Sequence, residues 1–254
     1  MTLTVPPYVH ASGLLAKNPA FKWDDDPWDC QFEVPRLDNT IGALYSRAVM
    51  AFAAAAAEWV IWPLSGGRDP LFADFIEACW AAVVDRRYLR HVSREFAYRI
   101  GKHYKISPRA GTTEDLWKSG ELSDAVRGPQ FVAIHLLELV ADRTVPDDNG
   151  SMEAVYINNL VLQVTNKHIA YRRWQQSILK RLQEQYGQTV DDDDNWLGPP
   201  VPREALDPSS SFTPDQGPAL IKAFLNGLDP AKNRFLTPIA EMKKLGFEGT
   251  PYDL

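Results

Sequence analysis

Apolar residues recur every three to four positions over most of the chain, the period of a helix with one buried face. Ile41, Leu44, Tyr45, Ala48, Phe52, Ala55, Trp59 and Trp62 follow that rule. Asp38 or Asn39 can cap the start of this helix, and Pro63 with Ser65-Gly66-Gly67 can end it. From Ala48 onward its other faces are apolar too, which places it at the centre of the molecule. Asp69-Pro70 predicts a second helix with the stripe Phe72, Phe75, Ile76, Cys79, Trp80 and Val83. Its pattern continues, with a bend, through Leu89, Val92, Phe96 and Ile100. Phe131, Ile134, Leu137 and Val140 predict another helix, starting near Pro129. The longest periodic stretch runs from Ser151 to about Tyr186, with Thr165-Asn166-Lys167 as its expected bend and His168 on its apolar stripe. Thr213-Pro214-Asp215-Gln216 reads as a capping box, and Thr237-Pro238 with Gly246 brackets a last short helix.

Other segments break the period. Pro6, Pro7, Pro19, Pro27 and Pro35 prevent a long helix at the start, while Phe21, Trp23, Trp28 and Phe32 gain by burial and argue against a free tail. From Gly187 to Ser211 the chain is polar, acidic and rich in proline. No run of alternating residues predicts a sheet, and no internal repeat is present. The expected fold is all-α, a multi-helix bundle. It comprises an irregular N-terminal arm (1–37), a main helical domain (38–187), and an acidic, proline-rich linker with two short helices packed on that domain (188–254).

Composition narrows the function classes. Hydrophobic residues make up 45% of the 254 and charged residues 24%, a globular balance. With 27 basic residues against 33 acidic, the net charge is −6, which disfavours a general nucleic-acid binder. Cys30 and Cys79 are too few for a disulfide framework and lack metal-site spacing. The first 20 residues do not read as a signal peptide, and the apolar run Ala48 to Leu64 is short, alanine-rich and interrupted by Glu58. A soluble, cytoplasmic protein without membrane contact is expected.

Two acidic tracts lie beside tryptophan: Trp23, Asp24, Asp25, Asp26 and Trp28 in the arm, and Asp191, Asp192, Asp193, Asp194 and Trp196 in the linker. Either tract is an ordinary solvated loop, or it imitates a line of phosphates and docks on a basic cleft of a partner, with tryptophan as the anchor. A basic run from Arg86 to Arg109 includes Arg86, Arg87, Arg90 and Arg94, with aromatics interleaved. Such runs are usually solvated helix faces, but they can also hold phosphates or nucleic acid, or face the acidic tracts of their own chain. His135, Glu138 and Asp142 fall on one helix face at a spacing that a metal site can use. His168 is a candidate general base, or simply a hydrogen-bonded core histidine. Glu58, alone in an alanine-rich helix, needs an arginine, a hydrogen bond or a raised pKa. No nucleophile elbow and no glycine-rich phosphate loop is present.

The pattern therefore favours a non-enzymatic module that binds another protein with a basic surface and needs no cofactor. In its most concrete form this is an inhibitor or immunity-type antidote to a toxin. The alternatives are a helical enzyme with a histidine and carboxylate site between helices, and a phosphate or nucleic-acid binder using the basic run.

Overall fold

A helix that is apolar on every side can be stable only if other elements cover every side. The alanine-rich stretch satisfies this: each residue from Ala48 to Ile61 is buried. Its small side chains let neighbouring helices approach closely, while Phe52, Trp59 and Ile61 fill the gaps. The molecule, described here from a computed structural model, is defined for residues 3–15, 35–64, 70–90, 150–188 and 196–253, and for Val132, His135, Leu136, Leu139 and Val140. In chain order its helices are α1 (Pro7–His10), α2 (Pro35–Gly42), α3 (Ser46–Leu64), α4 (Pro70–Val84), α5 (Ser151–Val164), α6 (Ile169–Tyr186), α7 (Gly217–Asn226) and α8 (Ile239–Lys244). The central helix α3 packs against α1, α4, α5, α6 and a 3-10 turn at Arg203–Leu206. No strand occurs among the described residues, only the isolated bridges Leu44–Gly187 and Leu89–Leu236. The fold is an all-α bundle.

Several boundaries differ from the periodic reading. Asp38 and Asn39 lie inside α2 rather than capping α3, and α3 runs through Pro63 to Leu64. The second helix stops at Val84 instead of continuing past Leu89. Extended Asp85 accepts a hydrogen bond from Arg87 N at 2.8 Å and starts a 3-10 turn, Arg86–Tyr88. Leu89 is buried against the C-terminal region instead of extending a helical stripe. The predicted continuation through Val92, Phe96 and Ile100 lies outside the described residues. At the expected bend after Ser151 the helix breaks completely. Asn166 and Lys167 take left-handed backbone angles (φ 52° and 54°), a conformation that asparagine tolerates and that cannot continue a right-handed helix. Across the break, Tyr171 donates to Asn158 Oδ1 at 2.7 Å and Gln175 Nε2 to the same oxygen at 2.8 Å, tying α6 to α5.

Residues beyond Trp196 enter the same core. Val201, Ala205, Leu206, Leu225, Leu236 and Met242 are buried within the cluster built around α3. Hydrogen bonds fasten this region: Arg90 N to Phe235 O at 2.8 Å, Thr237 N to Tyr88 O at 2.8 Å, and Asn233 Nδ2 to Asp74 O at 2.8 Å. No described helix is long and apolar enough to cross a membrane.

Candidate functional site

Glu58 is fully buried, one turn before Trp62 on α3. Burying a carboxylate in an apolar core is costly unless it is paired and hydrogen-bonded. Four donors surround it. Arg203 Nη2 reaches Oε1 at 2.6 Å, Trp80 Nε1 at 3.2 Å and Trp62 Nε1 at 3.4 Å, while the Tyr8 hydroxyl donates to Oε2. Arg203 Nη2 also donates to Thr4 O at 2.8 Å. Burial, and then the Glu58 charge, hold the Tyr8 hydroxyl well above its ordinary pKa, so it stays a donor. Burial opposes the charge on Arg203, but the charge and hydrogen bond of Glu58, together with Tyr8 and Glu204, outweigh burial and hold its pKa above the usual value. The Tyr8 ring stacks on Trp59 and tilts against Trp174. The cluster thus joins the N-terminal segment, α3, α4 and the turn at residues 203–206. Its carboxylate is already engaged by four donors, which suits a structural joint. The structural ion pair is one of the outcomes expected for a lone glutamate in that helix.

A different environment lies at the C-terminal end of α6. There a cleft of about 590 Å³ opens between Val84, Gln185, Tyr186, Pro199, Pro200, Pro214, Gly217, Pro218, Ile221 and Lys222. Four of the lining residues are prolines, whose rings carry no rotamer freedom to lose when a partner binds. Burial pushes the Tyr186 hydroxyl up to about 12, so this wall is a neutral phenol at physiological pH. The side-chain oxygen of Gln185 is buried with no hydrogen-bond partner among the described residues. Lys222 is exposed.

The chain on either side of this cleft is pinned to the start of α3. Tyr45 N donates to Tyr186 O at 3.1 Å, Gln188 N to Ala43 O at 2.8 Å, and Gln188 Nε2 to Leu44 O at 3.0 Å. On the far side, Ser46 N and Arg47 N donate to Trp196 O and Leu197 O, both at 3.1 Å, which satisfies two N–H groups of the first turn of α3. Arg47 Nη1 adds a bond to Gly198 O at 2.8 Å. Gly198 is left-handed (φ 67°), and a Cβ there would sit 2.3 Å from Tyr45, so the close approach of this strap requires glycine. Gln188 and Trp196 are therefore both bonded to the stretch Ala43–Arg47, and the seven residues between them carry Asp191, Asp192, Asp193 and Asp194. The four aspartates themselves lie outside the described residues. Trp196 is 37% exposed.

The other predicted positions fall as follows. Trp23, Asp24, Asp25, Asp26 and Trp28 lie outside the described residues, as do Arg94, Glu138 and Asp142. His135 meets Tyr156 edge to face at 4.4 Å, and no group of three metal-ligating side chains occurs among the described residues. Arg87 makes a tight pair with Asp85, 2.6 Å at its closest, and lies over the Phe247 ring. Burial alone would raise the Asp85 pKa, but hydrogen bonds from Arg87 hold it below the usual carboxylate range. Arg86 is partly buried beside Met50, and Arg90 is exposed. These three do not lie on the face of a long helix, because α4 has ended. His168 is also displaced from its predicted place: it is half-exposed at the cap of α6, where Nδ1 accepts from Ala170 N at 3.3 Å. It is not among the partners of Glu58. The cleft itself was missed; the available signal was the density of proline after Trp196, read only as a loop.

No family model matches the chain, and no curated protein or solved structure was found to be similar to it.

Proposed function

We propose that the protein is a cytoplasmic protein-binding module, with the proline-walled cleft and the adjoining acidic tract as its recognition surface. The observation that carries this reading is the cleft, lined by residues that flank the tract in sequence. Gln185 and Tyr186 line the cleft just before the tract, and Pro199 and Pro200 line it just after. An apolar cleft takes an anchoring side chain from a partner, while nearby like charges steer the encounter and select a partner of opposite sign. Four aspartates outweigh the single exposed Lys222, so the fitting partner segment is basic with an aromatic anchor. A net charge of −6 acts in the same direction. In its most specific form the partner is a toxin whose basic cleft is covered, and the protein is its antidote.

The test uses twelve-residue peptides with one central aromatic residue, flanked by lysines in one set and by glutamates in the other. Fluorescence anisotropy should show binding of the lysine-flanked set alone, weakening as salt is raised. Ile221→Arg, which places a charge in the cleft, should abolish it. Absence of binding by every peptide, or binding indifferent to both salt and Ile221→Arg, would overturn the proposal.

A further inference from the structure

Residues 3–15 form a local unit that rests on the core. Their backbone closes on itself: Val9 N and His10 N donate to Pro6 O, both at 3.0 Å, and Ala11 N to Pro7 O at 2.9 Å. Ser12 Oγ donates to Val9 O at 2.6 Å and accepts from Leu14 N at 3.1 Å. The helix of this unit, α1, is a single turn, too short to persist in water unsupported. Support comes from the body. Val9 and Leu14 are buried in the common core, Tyr8 donates to Glu58, and Thr4 O accepts from Arg203 Nη2 at 2.8 Å. A unit bonded mainly within itself can leave and return as a whole, as local units of a folded chain do.

Arg203 is where this unit meets the cleft. It opens the turn Arg203–Leu206, three residues after Pro200, which lines the cleft. The preceding Pro202 sits beside Gly217, another lining residue: a Cβ on Gly217 would lie 3.9 Å from Pro202 Cδ. The far end of the turn is held by α6, because Trp174 Nε1 donates to Leu206 O at 2.9 Å and Arg181 Nη1 to Asp207 O at 2.7 Å. The near end is held by Arg203 itself, whose Nη2 reaches both Glu58 Oε1 at 2.6 Å and Thr4 O. When residues 3–15 leave, Arg203 loses the Thr4 oxygen and Glu58 loses the Tyr8 hydroxyl. The end of the turn that adjoins the prolines then loses part of its anchor, while the other end keeps its own.

Resting on the proposed recognition surface, we propose that residues 3–15 are a detachable strap that sets the cleft through Arg203. Docked, the strap holds the Pro199–Pro200 wall where a partner can use it. Released, it frees that wall, and the cleft binds more weakly. Coupling of this kind is reciprocal, so a partner seated in the cleft favours the docked strap by the same factor.

Hydrogen exchange on the full-length protein tests this, first with no peptide present. Tyr8→Phe removes one hydroxyl and keeps the ring between Trp59 and Trp174. It should speed exchange in residues 3–15 and also in residues 197–204, while residues 205–210, anchored by α6, keep their rate. Leu14→Ala loosens the strap without touching Glu58 or Arg203 and should do the same. The lysine-flanked peptides should bind both variants about five-fold more weakly than the parent, the lower end of typical coupling between sites. Bound to the parent, they should slow exchange in residues 3–15. Acceleration confined to residues 3–15 in both variants, or unchanged peptide affinity, would overturn the strap and leave the recognition surface standing. If no peptide binds the parent, the recognition surface falls, and exchange in residues 197–204 still decides whether the strap holds the wall.

Discussion

The protein carries carboxylates close to tryptophans in two regions, one enclosed in the core around Glu58 and one in the sequence of the linker before Trp196. At Glu58 the carboxylate is dry, buried and surrounded by donors drawn from four parts of the chain. In the linker sequence, four aspartates follow one another shortly before the part-exposed Trp196, and the strap beyond them is held to α3 by hydrogen bonds from Ser46 N, Arg47 N and Arg47 Nη1, with no ion pair to the strap among the described residues. The first arrangement consumes its charge in holding the fold together. The aspartates of the second lie outside the described residues, and we propose that their charge acts on a partner. The difference is one of spacing: a single glutamate among alanines can be enclosed by one arginine, whereas four adjacent aspartates repel one another and would each need a partner.

The sharpest way to break the comparison is to remove the cation from the core. Arg203→Met leaves Glu58 buried without its counter-charge, and breaking a buried pair from one side typically costs about 3–5 kcal/mol. Urea denaturation should show a loss of that order. Replacing both partners, with Glu58→Met and Arg203→Met together, should recover much of it, because no unpaired charge remains. A loss below about 1 kcal/mol for Arg203→Met alone would show that water reaches Glu58 and that the two regions are not opposites.

Much of this was legible along the chain, and the failures are instructive. The burial of α3 followed from apolar residues on all its faces, and the demand of Glu58 for a partner followed from its isolation. What could not be read was that the partner is Arg203, 145 positions away, or that Tyr8 and Trp80 complete the shell. Those contacts depend on how helices cross, and periodicity holds no record of that. His168 was misplaced for a local reason. The stripe continued through it, but left-handed Asn166 and Lys167 ended one helix and made His168 the cap of the next. The acidic tract was legible as a docking candidate, while the cleft beside it was not. Prolines that mark a loop in sequence become walls only when Tyr186 and Ile221 are folded opposite them.

A second buried carboxylate sharpens the contrast within the core. Glu77 accepts from Asn233 Nδ2 at 3.0 Å, and no ion pair to it occurs among the described residues. Burial raises its pKa, and the hydrogen bond from Asn233 only partly offsets this. A raised carboxylate pKa means that the stability contributed by the protonated form is fully present below the unfolded pKa and is lost as pH rises through the folded one. Glu77→Gln keeps an acceptor for Asn233 and removes the titration. The variant should match the parent in acid and become the more stable of the two as pH rises towards neutral. Thermal melts across that range check this, and a gap that does not change with pH would show that Glu77 keeps its charge without cost.

The smallest expected change in stability belongs to the acidic tract, and that smallness is itself the test. If Asp191, Asp192, Asp193 and Asp194 have no role in the fold, replacing all four with serine should shift the unfolding free energy by no more than about 0.5 kcal/mol, as for ordinary surface substitutions. Relief of repulsion among the four would place the shift on the stabilising side. The same variant should bind lysine-flanked peptides more weakly at low salt and much as the parent does at high salt, because screening removes the only term that was deleted. The cleft would remain intact, so Ile221→Arg should still weaken peptide binding in this variant at either salt concentration. A large loss of stability would instead mean that the aspartates hold this fold together through basic residues of their own chain. In that case the tract would resemble Glu58 after all, and the charge assigned to partner recognition would already be spent.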